Sequence, residues 1–111
     1  MGDMSITPAS RIATSALRAA GTATANSAHN TANINTRGFK PGRTTYTDMD
    51  PGVQARAQAG RIDEAQADRP SETSLVRETT ERIGAAIMYR ANLSVIRDED
   101  ERIGTLLDIT G

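Results

Sequence analysis

Few residues of this chain could do chemistry. His29 is the only histidine and there is no cysteine. A cysteine–imidazole pair and a zinc site built from several His or Cys are therefore excluded, and a serine–histidine pair lacks any supporting motif. A lone histidine near a helix end reads as a polar surface residue. The run Asp98, Glu99, Asp100 and Glu101 would suit a hard cation if its carboxylates converged. Four successive residues of a helix instead point around all its faces, so the run reads as solvated surface. GRIDEAQADR at 60–69 and PGR at 41–43 lack the spacing of a phosphate-binding loop. We expect no catalytic residue, cofactor or metal, and read the chain as a non-enzyme.

The informative cluster is polar and uncharged. NTANINTRGFKPGR, residues 30–43, gathers Asn30, Asn33, Asn35, Gly38 and Phe39 in one junction. One reading is local: asparagines are poor helix formers at a fraying end, Gly38 is a left-handed cap, and Phe39 folds back onto the last turn. The other adds that amides on a buried seam hydrogen-bond to neighbouring helices and fix their register.

Two helices must position this junction. Over about Ser5 to Asn35, the residues Ile6, Ala9, Ala13, Ala16, Ala20, Ala23, Ser27, Asn30 and Ile34 recur at three and four, with Leu17 beside the seam. Pro8 suits the first turn, and Thr7 or Ser5 can cap it. Small seam residues allow close helix approach, while Gly21 weakens the helix. Over about Ser71 to Ile109 the same spacing carries larger residues: Leu75, Thr79, Ile83, Ala86, Tyr89, Leu93, Ile96, Asp100, Ile103 and Leu107. Pro70 and SETS mark its start, Gly111 its end, and Glu78–Arg82 and Asp98–Arg102 are favourable i,i+4 pairs. Between them, Gly38, Pro41, Gly42, Pro51, Gly52, Gly60 and Pro70 punctuate the chain too often for a long regular element. TTYTDM at 44–49 has the character of a short strand, and 53–69 reads as extended or weakly helical.

The expected fold is thus all-α: two long terminal helices in an antiparallel, coiled-coil-like pair, joined by a largely irregular linker with at most a short strand. The expected divisions are 1–39, 40–70 and 71–111.

Composition makes self-sufficiency doubtful. Ile, Leu, Val and Phe account for 18 of 111 residues, below the fraction of about one fifth associated with robust folding. Alanine makes up much of the apolar content and buries little surface, so the chain is expected to need neighbours. Residues 1–46 carry five basic and one acidic side chain, and 71–111 carry five basic and eight acidic, so the ends attract. The arginines of the first half are scattered, which argues against nucleic acid as a partner. No apolar run has the length of a membrane span, and Met1–Ser10 does not resemble a secretory signal.

SALRAAGTATANSAHNTANINTRGFKPGR, residues 15–43, resembles the N-terminal helix of the bacterial flagellar basal-body rod and hook family, which ends in Asn-Ile-Ala-Asn-x-Asn-Thr-x-Gly-Phe-Lys. Asn30, Ala32, Asn33, Asn35, Thr36, Gly38, Phe39 and Lys40 match, with Thr31 in place of the usual isoleucine. The C-terminal segment is similar to the family's other helix in Ser71, Leu75, Val76, Glu78, Tyr89, Asn92, Ile96, Leu106 and Leu107, including its Tyr-x-x-Asn element. Together the two regions span about two thirds of the chain. Glu72, Ser74 and Ile87 depart from the family pattern, and the middle is short, which points to a small member of proximal-rod type.

The resemblance implies a structural subunit of the proximal rod, located in the periplasm and exported unfolded by the flagellar type III apparatus without a cleaved signal. Its implied partners are copies of itself, other rod subunits, the MS ring and the export gate. The implied interface comprises Leu17, Asn30, Asn33, Ile34, Asn35, Gly38, Phe39, Leu75, Ile83, Tyr89, Asn92, Leu93, Ile96, Ile103 and Leu107. A soluble helical adaptor that binds one partner helix is the alternative.

Overall fold

The structure is a computed structural model that describes residues 7–110. Ser5, Ile6 and Gly111, named above as cap, seam and terminus, lie outside the described residues.

Helix α1 spans Pro8–Ala32, and Thr7 caps it by accepting a hydrogen bond from Ser10 N at 3.0 Å, with Pro8 in the first turn. Helix α2 spans Leu75–Thr110. It begins later than expected. Residues 71–74 form an extended lead-in held by Ser71 Oγ accepting from Thr73 N, and Ser74 Oγ accepts from Arg77 N at the first turn.

The segment between the helices overturns the all-α expectation. It folds into antiparallel strands β1 (Phe39–Lys40), β2 (Arg43–Met49), β3 (Gly52–Gln58) and β4 (Arg61–Ile62), followed by one 3-10 turn at Glu64–Gln66. β2 pairs with β3 from Arg43 opposite Gln58 to Met49 opposite Gly52, and β1 pairs with β4 through Phe39 opposite Ile62 and Lys40 opposite Arg61. Both pairings keep one register, so the four strands are a single long hairpin interrupted at Pro41–Gly42 and Ala59–Gly60. The same Gly and Pro residues that suggested an irregular linker mark this interruption and the hairpin tip. Proline removes a ladder donor, and glycine admits close backbone approach. The tip is Asp50-Pro51, joined by a cis peptide bond, and Gly52 follows with φ +104°.

The hairpin lies along one flank of α1. At its tip Ser15 Oγ accepts from Val53 N at 3.1 Å while donating to Ile12 O at 2.7 Å. The helices run antiparallel along the other flank, with Ala20 and Ala23 packed on Ala85 and Met88 beside them. Among the described residues the buried apolar ones are Ala13, Ala16, Ala19, Ala20, Ala23, Ala85 and a single large one, Phe39. Thus the spacing read along α1 matches its buried face from Ala13 to Asn30, while Ala9 is exposed and Ile34 partly buried.

Along α2 the seam is rotated. Glu78, Ala85, Asn92, Ile96 and Ile103 follow the side toward α1, whereas Leu75 and Ile83 are exposed. Ile83 sits about 140° around the helix from Glu78 and so points outward, whereas Ile96, eighteen residues or five full turns from Glu78, returns to its side, with Ile103 beside it. Neither expected i,i+4 ion pair forms among the described residues: Arg82 donates to Thr31 Oγ1, and Arg102 pairs with Glu99 at 2.8 Å.

A Cβ at Gly42 would overlap the backbone of Gln58 and Gly60 and the Asn26 amide oxygen, while one at Gly21 would meet nothing within 4 Å. Gly42→Ala is expected to cost about 1–3 kcal/mol or more, and Gly21→Ala to gain about 0.5–1 kcal/mol. Urea unfolding followed by helix circular dichroism measures both; a neutral Gly42→Ala would contradict the close approach.

Candidate functional site

Three elements converge on Asn30, which is 1% exposed. Its Nδ2 donates to Gly42 O at 3.0 Å and to Glu78 Oε2 at 3.2 Å, and its Oδ1 accepts from Gly42 N at 2.8 Å. Its backbone carbonyl accepts from Thr73 Oγ1 at 3.1 Å, and neighbouring Ser27 Oγ donates to Glu78 O at 3.0 Å. One amide side chain therefore joins α1, the hairpin's interruption and the first turns of α2. A small polar cavity of about 140 Å³ adjoins the network, lined by Asn26, Thr44 and Glu78 among others. Thr44 Oγ1 is the one buried side-chain polar atom without a partner among the described residues.

The rest of the junction is also used within the chain. Asn33 Nδ2 donates to His29 O, and Thr36 Oγ1 donates to Asn33 Oδ1, closing the end of α1. Gly38, at φ +75°, donates from its N–H to Arg69 O and accepts from Asp63 N, both at 2.8 Å. Phe39, 2% exposed, meets the His29 ring edge-on with centroids 5.8 Å apart. Glu72 N donates to Phe39 O, and Lys40 pairs with Glu72 at 2.8 Å. Asn35 alone of the three junction asparagines is exposed.

Of the residues assigned to an interface from sequence, Asn30, Gly38 and Phe39 are buried within the chain. Leu17, Asn33, Ile34, Asn92, Leu93, Ile96 and Ile103 are partly buried, and Asn35, Leu75, Ile83, Tyr89 and Leu107 are exposed. Sequence reasoning missed Glu78 as a buried partner of Asn30, and missed the outward pair Val76 and Ile87, which are 79% and 62% exposed. A 3.6-residue period starting from Val76, through Thr80, Ile83 and Ile87, would have found that stripe.

Two open apolar clefts flank the helix pair. One, of about 510 Å³, lies between Gly21, Ala25 and Ala28 of α1 and Ala86 and Tyr89 of α2. The other, of about 450 Å³, lies between Tyr46 and Val53 of the hairpin and Gly84, Ala85 and Met88 of α2. Partial burial raises the Tyr46 phenol above its ordinary value of 10.0, and the Glu81 carboxylate adds to the effect. Among the described residues no group of His, Asp or Glu is placed to hold a metal ion, and no helix is long and apolar enough to cross a membrane.

Asn30→Ala would strand the Gly42 N–H and the buried Glu78 carboxylate, and is expected to cost about 2–4 kcal/mol in urea unfolding. Asn30→Asp, which opposes a carboxylate to Glu78, should cost more; equal stability of all three chains would remove the network's importance. The fold holds the Tyr46 proton more tightly than the unfolded chain, so stability should fall as pH rises past 10.0. Ultraviolet titration should show Glu81→Gln lowering the phenol's midpoint. No protein-family model matches this chain, and no curated protein is detectably similar to it.

Proposed function

We propose that this chain is a structural subunit that polymerises through its helices. The observation that carries the reading is the placement of its apolar side chains: the core is built of alanine and one phenylalanine, while Leu75, Val76, Ile83, Ile87, Tyr89 and Ile109 are each 46% or more exposed. The accessible surface is 7750 Å², against about 5,900 Å² for a compact monomer of this mass. The radius of gyration is 19.0 Å, against about 13 Å for a compact domain of this length. Such a rod-like body leaves uncovered the surface that elsewhere makes a core, and covering it requires neighbours.

The kind of assembly comes from the resemblance at both ends. We assign the chain to the bacterial flagellar basal body as a proximal-rod-type subunit in the periplasm, delivered through the type III apparatus. There it stacks with copies of itself and other rod subunits, with the MS ring and the export gate as further partners. Leu75, Ile83 and Tyr89 supply outward burial in this reading, while Asn30 and Asn33 shape the subunit that is stacked.

The adaptor reading draws support from one observation. Asn30 is fully bonded within its own chain, so the register of the helix pair does not need a neighbour. A chain of this kind could bind a single partner helix and stop.

Sedimentation velocity with circular dichroism, over a wide concentration range, separates the two. Open-ended growth in size supports polymerisation, and Ile83→Ser with Ile87→Ser should raise the concentration needed by about tenfold or more while leaving monomer helicity unchanged. A concentration-independent monomer sinks the reading. Detection of the chain in isolated basal bodies tests the assignment to the rod.

A further inference from the structure

The two ends of α2 are complementary to each other and cannot meet in one molecule. Near its start, the outward stripe of Val76, Ile83 and Ile87, exposed at 79%, 56% and 62%, is flanked by the exposed Arg77 and Arg90. It extends about 16 Å at 1.5 Å per residue. Near its end lie Asp98, Asp100, Glu101 and Asp108, none of which has an ion-pair partner among the described residues, together with Ile109 at 74% exposure. Ser27 meets Glu78 and Ala20 packs near Ala85. This antiparallel register carries Pro8 to the level of about residue 97, so the last turns of α2 run past the described start of α1.

We infer that the stripe is the seat for the C-terminal segment of α2, residues 98–109, from a second copy of this chain. The inference rests on the polymerisation reading and specifies its contact. The segment's length of about 16 Å matches the stripe, its carboxylates face the arginines on the rim, and its apolar residues cover Val76, Ile83 and Ile87. Stripe against stripe would instead bring Arg77 and Arg90 of both copies together. Each molecule uses one end as donor and the other as acceptor, so the contact is heterologous and does not close.

Reciprocal charge reversal tests this in the full chain. Variant one carries Arg77→Glu and Arg90→Glu; variant two carries Glu101→Lys and Asp108→Lys. All four positions are exposed, so monomer helicity should be preserved, which circular dichroism checks. Each variant alone should need about tenfold or more protein than the unaltered chain to assemble, and a one-to-one mixture should restore open-ended growth. In that mixture every tail finds a stripe of opposite charge. A mixture that stops at two chains would reveal stripe-to-stripe pairing and overturn the inference, as would a mixture that recovers nothing while the unaltered chain polymerises. Failure of the unaltered chain to grow would overturn the polymerisation reading, and the contact with it.

Discussion

The hydrogen bonds of Asn30 are the constraint on which the rest depends. An amide presents a donor and an acceptor on one planar group, and here both engage the same residue, Gly42, while the remaining donor hydrogen reaches Glu78. A residue whose N–H and C=O both point away from the partner strand occupies a non-hydrogen-bonded position of an antiparallel pair. Asn30 takes up both groups of Gly42, next to Pro41, which has no ladder donor to offer. The buried Glu78 carboxylate in turn needs the same amide, which fixes where α2 begins against α1. A hydroxyl cannot form this set, and a carboxylate has no donor to offer.

Close approach of three elements around one small side chain imposes the composition of the interior. Alanine and serine allow helix backbones to come near enough for Ser27 Oγ to reach the Glu78 carbonyl. Leucine or isoleucine on the same seam would hold the helices apart. Large apolar residues are thereby displaced to the far side of α2 and to the hairpin. The interior of this molecule is specified by polar geometry, and its hydrophobic driving force faces outward.

Much of the helical part was legible in the sequence. The spacing of Ala13, Ala16, Ala20, Ala23, Ser27 and Asn30 marks the buried face of α1, and Thr7 and Pro8 mark its start. Of the hairpin only the first long strand was legible, in the β-branched and aromatic TTYTDM that forms most of β2. Its partner was not, because polar residues such as Gln54, Arg56 and Gln58 alternate with small ones too weakly to declare a strand, and a single cluster of Gly and Pro serves equally for loops and for strand interruptions. The seam of α2 was misplaced because its large residues attracted a heptad reading, while the contact was made by Glu78 and Ala85. An acidic residue on a seam announces itself only through its partner. The outward stripe was hidden for the same reason: Val76 and Ile87 fell off the seam drawn through Leu75 and Ile83.

The alanine-built contact has a calorimetric consequence. The heat-capacity change on unfolding scales with the apolar area newly exposed, and folding one copy fully covers only alanine methyl groups and a phenyl ring, with Leu17, Met88, Leu93, Ile96 and Ile103 covered in part. Unfolding of the single chain should therefore proceed with a small heat-capacity increment and a shallow, broad stability curve. The exposed parts of Val76, Ile83 and Ile87 add nothing to that curve until something covers them. In this molecule the thermodynamic signature of a hydrophobic core belongs to the contacts it makes with others.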